Sequence, residues 1–165
     1  MSTSSLRFDD SADNVEQRFL QAIYGPARKR SFRKLDIGKG KRPAWDPGDC
    51  QVRALCTATG MRYEEAWDTL YRLQGKHRTA GFNLTAYLDR DGEALGVLRR
   101  LSFPAVKGQP RMTADEFCQK YPRGNFILRM PHHVAAVEDG VLLDCWNSSF
   151  CCVYTAWEVR EKKPS

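Results

Sequence analysis

Three residues of types that support nucleophilic catalysis occur where predicted elements could present them to a substrate. Cys50 lies at the predicted start of a helix, in the stretch DCQVRALCTATG, and the positive end of a helix dipole favours the thiolate, the reactive form of cysteine. His133 could remove the thiol proton, and Asp144 could hold the imidazole in the required tautomer and orientation. These residue types predict acyl-transfer chemistry through a thiol.

A predicted hairpin brings the histidine and the aspartate together. Asp139-Gly140 separates two apolar runs, and this dipeptide is the strongest short-range sequence indication of a two-residue hairpin turn. The turn pairs position 138 with 141 and position 133 with 146, which places His133 and Asp144 on one face as diagonal neighbours, roughly 7–8 Å apart at the backbone. Their side chains can then meet, whereas His132 points to the other face.

The stretch DCQVRALCTATGMRYEEAW, followed far downstream by HHVAAVEDGVLLDCW, resembles a phage and bacterial group of papain-like, C39-like cysteine peptidases. The resemblance covers roughly residues 45 to 147 and keeps the family order of cysteine, histidine and strand aspartate. It implies a papain-like fold, with Cys50 as nucleophile, His133 as general base and Asp144 as orienting residue. It also implies a peptide, isopeptide or related amide substrate, and a phage protein that acts on host factors.

The residues just before Cys50 depart from the family pattern. Papain-like enzymes carry a glutamine a few residues upstream of the cysteine to stabilise the oxyanion, but residues 44–46 here are Ala-Trp-Asp. An ionised carboxylate at Asp46 or Asp49 would oppose both a thiolate and an oxyanion. Gln51 and Asn147 are the candidate substitutes. The alternative hypothesis is therefore a catalytically inactive papain-like scaffold that binds a partner.

A basic stretch supplies the binding surface of that alternative hypothesis. Residues 25–43 carry eight Lys or Arg and one acid, a net charge of +7, whereas the rest of the chain sums to −1. Two glycines near its end and little apolar periodicity predict a linker or arm. Such an arm could bind nucleic acid by releasing phosphate counterions, or bind an acidic protein surface, and it could equally be a solvated, flexible segment.

The remaining pattern predicts an α+β class, with N-terminal helices packed against a C-terminal antiparallel sheet. A domain boundary at 43/44 separates an N-terminal helix and basic arm, residues 1–43, from a papain-like domain, residues 44–165. Helices are predicted over about 13–25, 49–60, 63–74, within 83–95 and from a capping box at 113–116. Strands are predicted at 125–130, 133–138, 141–146 and 151–155, the last at the edge of the sheet.

The other five cysteines fall within predicted helix faces or strands: Cys56, Cys118, Cys145, Cys151 and Cys152. The sequence has no C-x-x-C pair, so neither a zinc site nor any other cofactor is expected. No leader pattern and no apolar run near 18 residues is present, which predicts a protein that is neither secreted nor membrane-spanning. Reduced thiols in a cytoplasm, that of the host if the gene is phage-encoded, are the expected setting.

Overall fold

The computed structural model describes residues 31–35, 37, 49–74 and 82–160. They belong to one compact unit, Ser31–Ser165. Its helices are α1 (Cys50–Thr59), α2 (Tyr63–Gln74), α3 (Leu84–Arg90) and α4 (Ala114–Lys120). Its strands are β1 (Phe32–Lys34), β2 (Val97–Ser102), β3 (Asn125–Met130), β4 (His133–Glu138), β5 (Val141–Asp144) and β6 (Thr155–Val159). The predicted helix over 13–25, the turn at 45–48 and His77 lie outside the described residues.

The six strands form one sheet in the order β1-β5-β4-β3-β6-β2. Five strands pair antiparallel, but β1 pairs parallel with β5, so the sheet is mixed rather than antiparallel as predicted. The described residues form four helices together with this sheet, so the structure has the α+β class that the order of the sequence patterns predicts.

The edge strand β1 comes from the segment that the sequence predicts to be an arm. Phe32 pairs with Leu142 and Lys34 with Asp144, so at least these residues are part of the sheet. A three-residue strand has too few residues for a recognisable alternation, and its exposed Arg33 and Lys34 resemble a solvated run. The other residues of the 25–43 stretch, apart from 31–35 and 37, lie outside the described part of the chain.

Two apolar cores cover the two faces of the sheet. One core joins α1, α2 and α3 to the sheet face that carries Ile127 and Trp157. The other joins α4 to the opposite face, which carries Phe126 and Leu128. Alternate residues of β3 thus enter different cores, as the two-residue period of a strand requires. A central strand buried on both faces is a rigid support for residues at its end.

Two strands differ from the sequence predictions. The sequence predicts only irregular connections where β2 (VLRRLS) forms. The residues of β2 are exposed or half-buried along their whole length, so the strand has no apolar alternation that would indicate it. β6 begins at Thr155, four residues after the predicted start, and it lies between β3 and β2 rather than at the edge. Within the predicted strand 151–155, Cys152 forms only an isolated bridge with Thr113.

The helix ends follow the sequence except at the start of α1. Gly60 ends α1 in the left-handed conformation, with φ of 80° and its N–H donating to Cys56 O. The capping box is confirmed at α4, where Thr113 and Glu116 each bond the other's backbone N–H. Asp49 occupies the N-cap position of α1, but its side chain makes no capping hydrogen bond, so the predicted cap is wrong in that respect.

Two tight turns fix the ends of β4. Asp139 and Gly140 have φ of 46° and 72°, and Glu138 pairs with Val141, which confirms the predicted register. At the other end, Met130 pairs with His133 across a turn in which His132 has φ of 53°. Both turns place residues of β4 at defined positions relative to β3 and β5.

No helix of the described residues is long and apolar enough to cross a membrane.

Candidate active site

The structure brings Cys50, His133 and Asp144 together. His133 Nε2 lies 2.6 Å from Asp144 Oδ2, and only 10% and 7% of the two side chains are exposed. The same imidazole interacts with the Cys50 side chain, both as a hydrogen-bond partner and as a charge. Because Nε2 bonds to the carboxylate, Nδ1 is the ring nitrogen left for the thiol. The predicted proximity of the histidine and the aspartate is confirmed.

The Asp144 carboxylate is held by two further donors. The Ser148 hydroxyl donates to Oδ2 over 2.6 Å, and the Cys145 backbone N–H donates to Oδ1 over 2.8 Å. Ser148 is completely buried. No pattern in the sequence indicated its role, because the position of its hydroxyl depends on how the chain bends after β5. The Leu35 N–H also donates to the Asp144 carbonyl oxygen over 2.8 Å, so β1 supports the same residue.

The electrostatics of the pair favour a charged histidine. Burial lowers the pKa of His133, but its hydrogen bonds to Asp144 and Cys50 and the charges of both partners outweigh burial and raise that pKa from 6.5 to about 9. Burial likewise raises the pKa of Asp144, but hydrogen bonds from His133 and Ser148 prevail and hold it below its ordinary value of 3.8. An ionised carboxylate beside the ring stabilises the imidazolium that forms when the thiol proton moves to His133.

Cys50 is the first residue of α1 and is half-buried. The charge of Asp49 is directed elsewhere, since its Oδ2 pairs with Arg53 Nε at 2.9 Å and accepts a hydrogen bond from the Tyr63 hydroxyl. The first amides of a helix have no carbonyl partner within the helix. The Asp49 side chain does not cap these amides. The Arg53 guanidinium also offsets the negative charge of the Asp49 carboxylate, so the carboxylate opposes a Cys50 thiolate less than the sequence predicts. Asp46 lies outside the described residues.

Four of the other cysteines are held as thiols. Burial raises the pKa of Cys56 to about 11 and that of Cys118 to about 12. Burial also raises the pKa of Cys145 and Cys151, where the negative charges of Asp144 and, for Cys151, of Cys152 add to the effect. Each of these four is therefore a poorer nucleophile than an ordinary cysteine at neutral pH.

The two candidate substitutes for the upstream glutamine are engaged elsewhere. The Gln51 amide donates to Phe82 O and accepts from Leu84 N–H, which ties α1 to the start of α3. The Asn147 oxygen accepts from both the backbone and the hydroxyl of Ser149. Residues 44–46 lie outside the described part of the chain. Among the described residues, the backbone N–H of Cys50 is the donor whose position in the first turn of α1 suits an oxyanion.

Open surface flanks the His133 ring. Trp146 lies with its ring centroid 5.0 Å from that of His133 and meets Phe150 at 6.1 Å, and both aromatic side chains are exposed. A groove of about 550 Å³ includes His133 in its lining. It also includes His132, which the alternation rule had placed on the opposite face; the left-handed backbone of that residue accounts for the difference. A substrate can therefore approach the ring.

Within the described residues, no group of three or more His, Cys, Asp or Glu side chains is arranged to hold a metal ion. Comparisons of the chain with protein-family models, curated proteins and solved structures gave no match.

Proposed function

We propose that the protein is a papain-like cysteine hydrolase that cleaves a peptide, isopeptide or related amide bond through an acyl-enzyme. One observation carries the proposal: the buried His133 ring bonds Asp144 through Nε2 at 2.6 Å and also interacts with Cys50. A structural histidine needs one satisfied partner, whereas nucleophile, base and orienting carboxylate in series are the components of covalent catalysis. The resemblance of the sequence to phage and bacterial peptidases supports the same reaction class.

In the proposed first half-reaction, His133 takes the thiol proton of Cys50 on Nδ1 and the sulfur attacks the carbonyl carbon of the substrate. The electron pair of the carbonyl double bond moves to oxygen, which the Cys50 N–H can stabilise from the first turn of α1. The tetrahedral intermediate then breaks its carbon–nitrogen bond, and the imidazolium returns its proton to the departing amine. The product is a thioester between the acyl group and Cys50.

In the second half-reaction, neutral His133 takes a proton from water, and the resulting hydroxide attacks the thioester carbonyl. The carbon–sulfur bond breaks, the acid is released, and the proton returns to the thiol of Cys50. Asp144 remains ionised throughout, because its hydrogen bonds hold its pKa low. It acts as an orienting residue that stabilises the imidazolium.

Alkylation by iodoacetamide, with the modified cysteines located by mass spectrometry, tests whether Cys50 is activated. At pH 7.5 we expect Cys50 to react faster than glutathione, an ordinary thiol, whereas Cys56 and Cys118 should react roughly 100-fold and roughly 1,000-fold more slowly than an ordinary thiol, because their raised pKa values of about 11 and about 12 leave that much less thiolate. His133→Ala should lower the rate at Cys50 to that of glutathione or below. His132→Asn is the matched control, because asparagine tolerates the left-handed backbone of that turn.

Turnover distinguishes an enzyme from an inactive scaffold. Incubation with a peptide library should yield cleaved products that are absent with Cys50→Ala and with His133→Ala. Fast, His133-dependent labelling without any cleaved product would favour a binding protein over a hydrolase. Slow labelling of Cys50, equal to that of the other thiols, would refute the proposed mechanism.

A further inference from the structure

We propose that the groove beside His133 selects substrates with an acidic residue near the scissile bond, and that Arg129 is the specificity-determining residue. This inference deepens the proposed function and rests on it. The groove has a volume of about 550 Å³ and shares His133 with the candidate catalytic residues, and ligand sites commonly enclose about 300–1,000 Å³. A substrate held there would extend away from the reacting carbonyl.

The lining of the groove carries positive charge without a balancing acid. Its described lining residues are Gln51, Asn83, Thr85, Arg129, Met130, Pro131, His132, His133, Val134 and Tyr154. None is Asp or Glu. Arg129 is exposed, and no carboxylate among the described residues forms an ion pair with it. A guanidinium that pairs with no described carboxylate and lies beside the proposed reactive centre is suited to bind a substrate carboxylate through two parallel hydrogen bonds.

The hydrogen-bonding groups of the groove also favour an anion. The Asn83 oxygen is occupied by the Ala86 N–H and the Thr85 hydroxyl, so the NH₂ group of Asn83 is the part left to meet a ligand. The Gln51 oxygen is occupied by the Leu84 N–H. The amide oxygens of Asn83 and Gln51 are thus used within the protein, whereas the NH₂ group of Asn83 has no hydrogen-bond partner among the described residues, and a carboxylate accepts hydrogen bonds only.

The sheet fixes the guanidinium close to the reacting atoms. Arg129 pairs with Val134 in the β3–β4 register, one position from the pair of Met130 with His133. It also pairs with Thr155 of β6, so β3 is held on both sides at this point. Arg129 and His133 are one position apart in the register, so their side chains leave opposite faces of the strands, but both residues line the groove. Neighbouring strands about 4.8 Å apart with a rise of about 3.3 Å per residue put the two backbones roughly 6 Å apart, and an extended peptide spans about 3.3–3.6 Å per residue. The preferred acid should therefore lie about two residues from the scissile bond.

Matched peptide probes test the selectivity. Each probe is a tripeptide that ends in a chloromethyl ketone and carries either Glu or Gln two residues from the reactive carbon. For the wild-type protein we expect Cys50 to react about 10-fold or more faster with the Glu probe, the effect of a hydrogen bond between charged groups. The ratio should fall near 1 in Arg129→Gln, should invert in favour of a Lys probe in Arg129→Glu, and should shrink in high salt.

Arg123→Gln is the matched control. It removes the same charge from an exposed arginine just before the opposite end of β3, roughly 20 Å away at about 3.3 Å per strand residue, and should leave the ratio unchanged. A wild-type ratio near 1, or a preference that persists in Arg129→Gln, would overturn the assignment of Arg129. Iodoacetamide, which lacks an acid, should label Cys50 equally fast in wild type and Arg123→Gln.

A binding measurement keeps the inference independent of catalysis. Isothermal titration of the Cys50→Ala protein with the same tripeptides, made as plain amides, should show that the Glu peptide binds about 10-fold tighter than the Gln peptide. The double variant Cys50→Ala/Arg129→Gln should lose this preference. If iodoacetamide labelling of Cys50 is slow but this preference holds, the proposed hydrolase function fails and the anion groove stands. If labelling is fast but neither assay shows a preference, only the groove assignment fails.

Discussion

Replacing Asp144 with asparagine should inactivate the site although the side chain keeps its shape. The carboxylate accepts the Cys145 N–H on one oxygen, and on the other it bonds His133 and Ser148. An amide at this position must keep its oxygen toward the Cys145 N–H, since its NH₂ group there would meet another donor. The NH₂ group then faces His133 Nε2, which forces the ring proton onto Nδ1, the atom that must receive the proton of Cys50.

The structure gives the size of the effect. The pKa of His133 rises from 6.5 to about 9 although burial lowers it, and at about 1.4 kcal/mol per pH unit this is roughly 3 kcal/mol in favour of the charged ring. The hydrogen bond to Asp144 is the first of the contributions that raise it. Without the carboxylate we expect burial to prevail and the pKa of His133 to fall below 6.5. The rate of Cys50 alkylation at pH 7.5 should then fall about 100-fold, the factor that roughly 3 kcal/mol represents.

Nuclear magnetic resonance of the histidine rings against pH measures the first quantity, and iodoacetamide labelling measures the second. Asp144→Ala provides the comparison, because it removes the charge and also the shape. A His133 pKa that stays near 9 in Asp144→Asn, or labelling of Cys50 within about threefold of the wild-type rate, would refute the roles assigned to the carboxylate and to the ring tautomer.

The same contacts link stability to pH with a defined sign. Since the folded pKa of His133 lies above 6.5, its stabilising contribution is fully present below about pH 6.5 and is lost as the pH rises through about 9. Since the pKa of Asp144 is lowered, its contribution is present above about pH 3.8 and is lost as the pH falls through the folded value. In urea unfolding, wild type should exceed Asp144→Asn most between about pH 4 and 6.5. A difference that grows from pH 6.5 to 10 would contradict this.

Two further changes test the backbone that supports the site. In chemical denaturation, Gly140→Ala should lower the free energy of unfolding by about 1 kcal/mol more than Gly108→Ala does. Both glycines have positive φ, but only at Gly140 would the added Cβ lie 3.0 Å from the Cys118 carbonyl oxygen. Equal losses in the two variants would contradict the importance of that contact. Leu35→Pro removes the N–H that donates to the Asp144 carbonyl oxygen, so it should lower both the stability of the protein and the rate of Cys50 labelling. Leu35→Val keeps this N–H and should lower neither. Unchanged labelling in the proline variant would show that β1 does not support the site.

Local patterns in the sequence were sufficient where adjacent residues decide the structure. The Asp139-Gly140 turn fixed the register that brings His133 to Asp144, because a two-residue turn with positive φ leaves one way to pair the strands. The capping box at Thr113 and the glycine end of α1 at Gly60 were likewise readable, since each needs only residues within one helical turn. Cys50 at the start of α1 follows from the same local rules.

Interactions between distant parts of the chain decided the rest. β1 and β2 are edge strands with exposed basic residues, so their place in the sheet depends on the partner strands and not on a hydrophobic pattern of their own. The hydrogen bond from the Tyr63 hydroxyl to Asp49 joins α2 to the residue before α1, so it appears only after the two helices have packed. The sequence by itself therefore determined which residues could meet on the hairpin and at the helix start. The tertiary structure alone decided that Cys50 meets His133 and that Arg129, which forms no ion pair among the described residues, lines the same groove as His133, because packing between elements far apart in sequence sets these contacts.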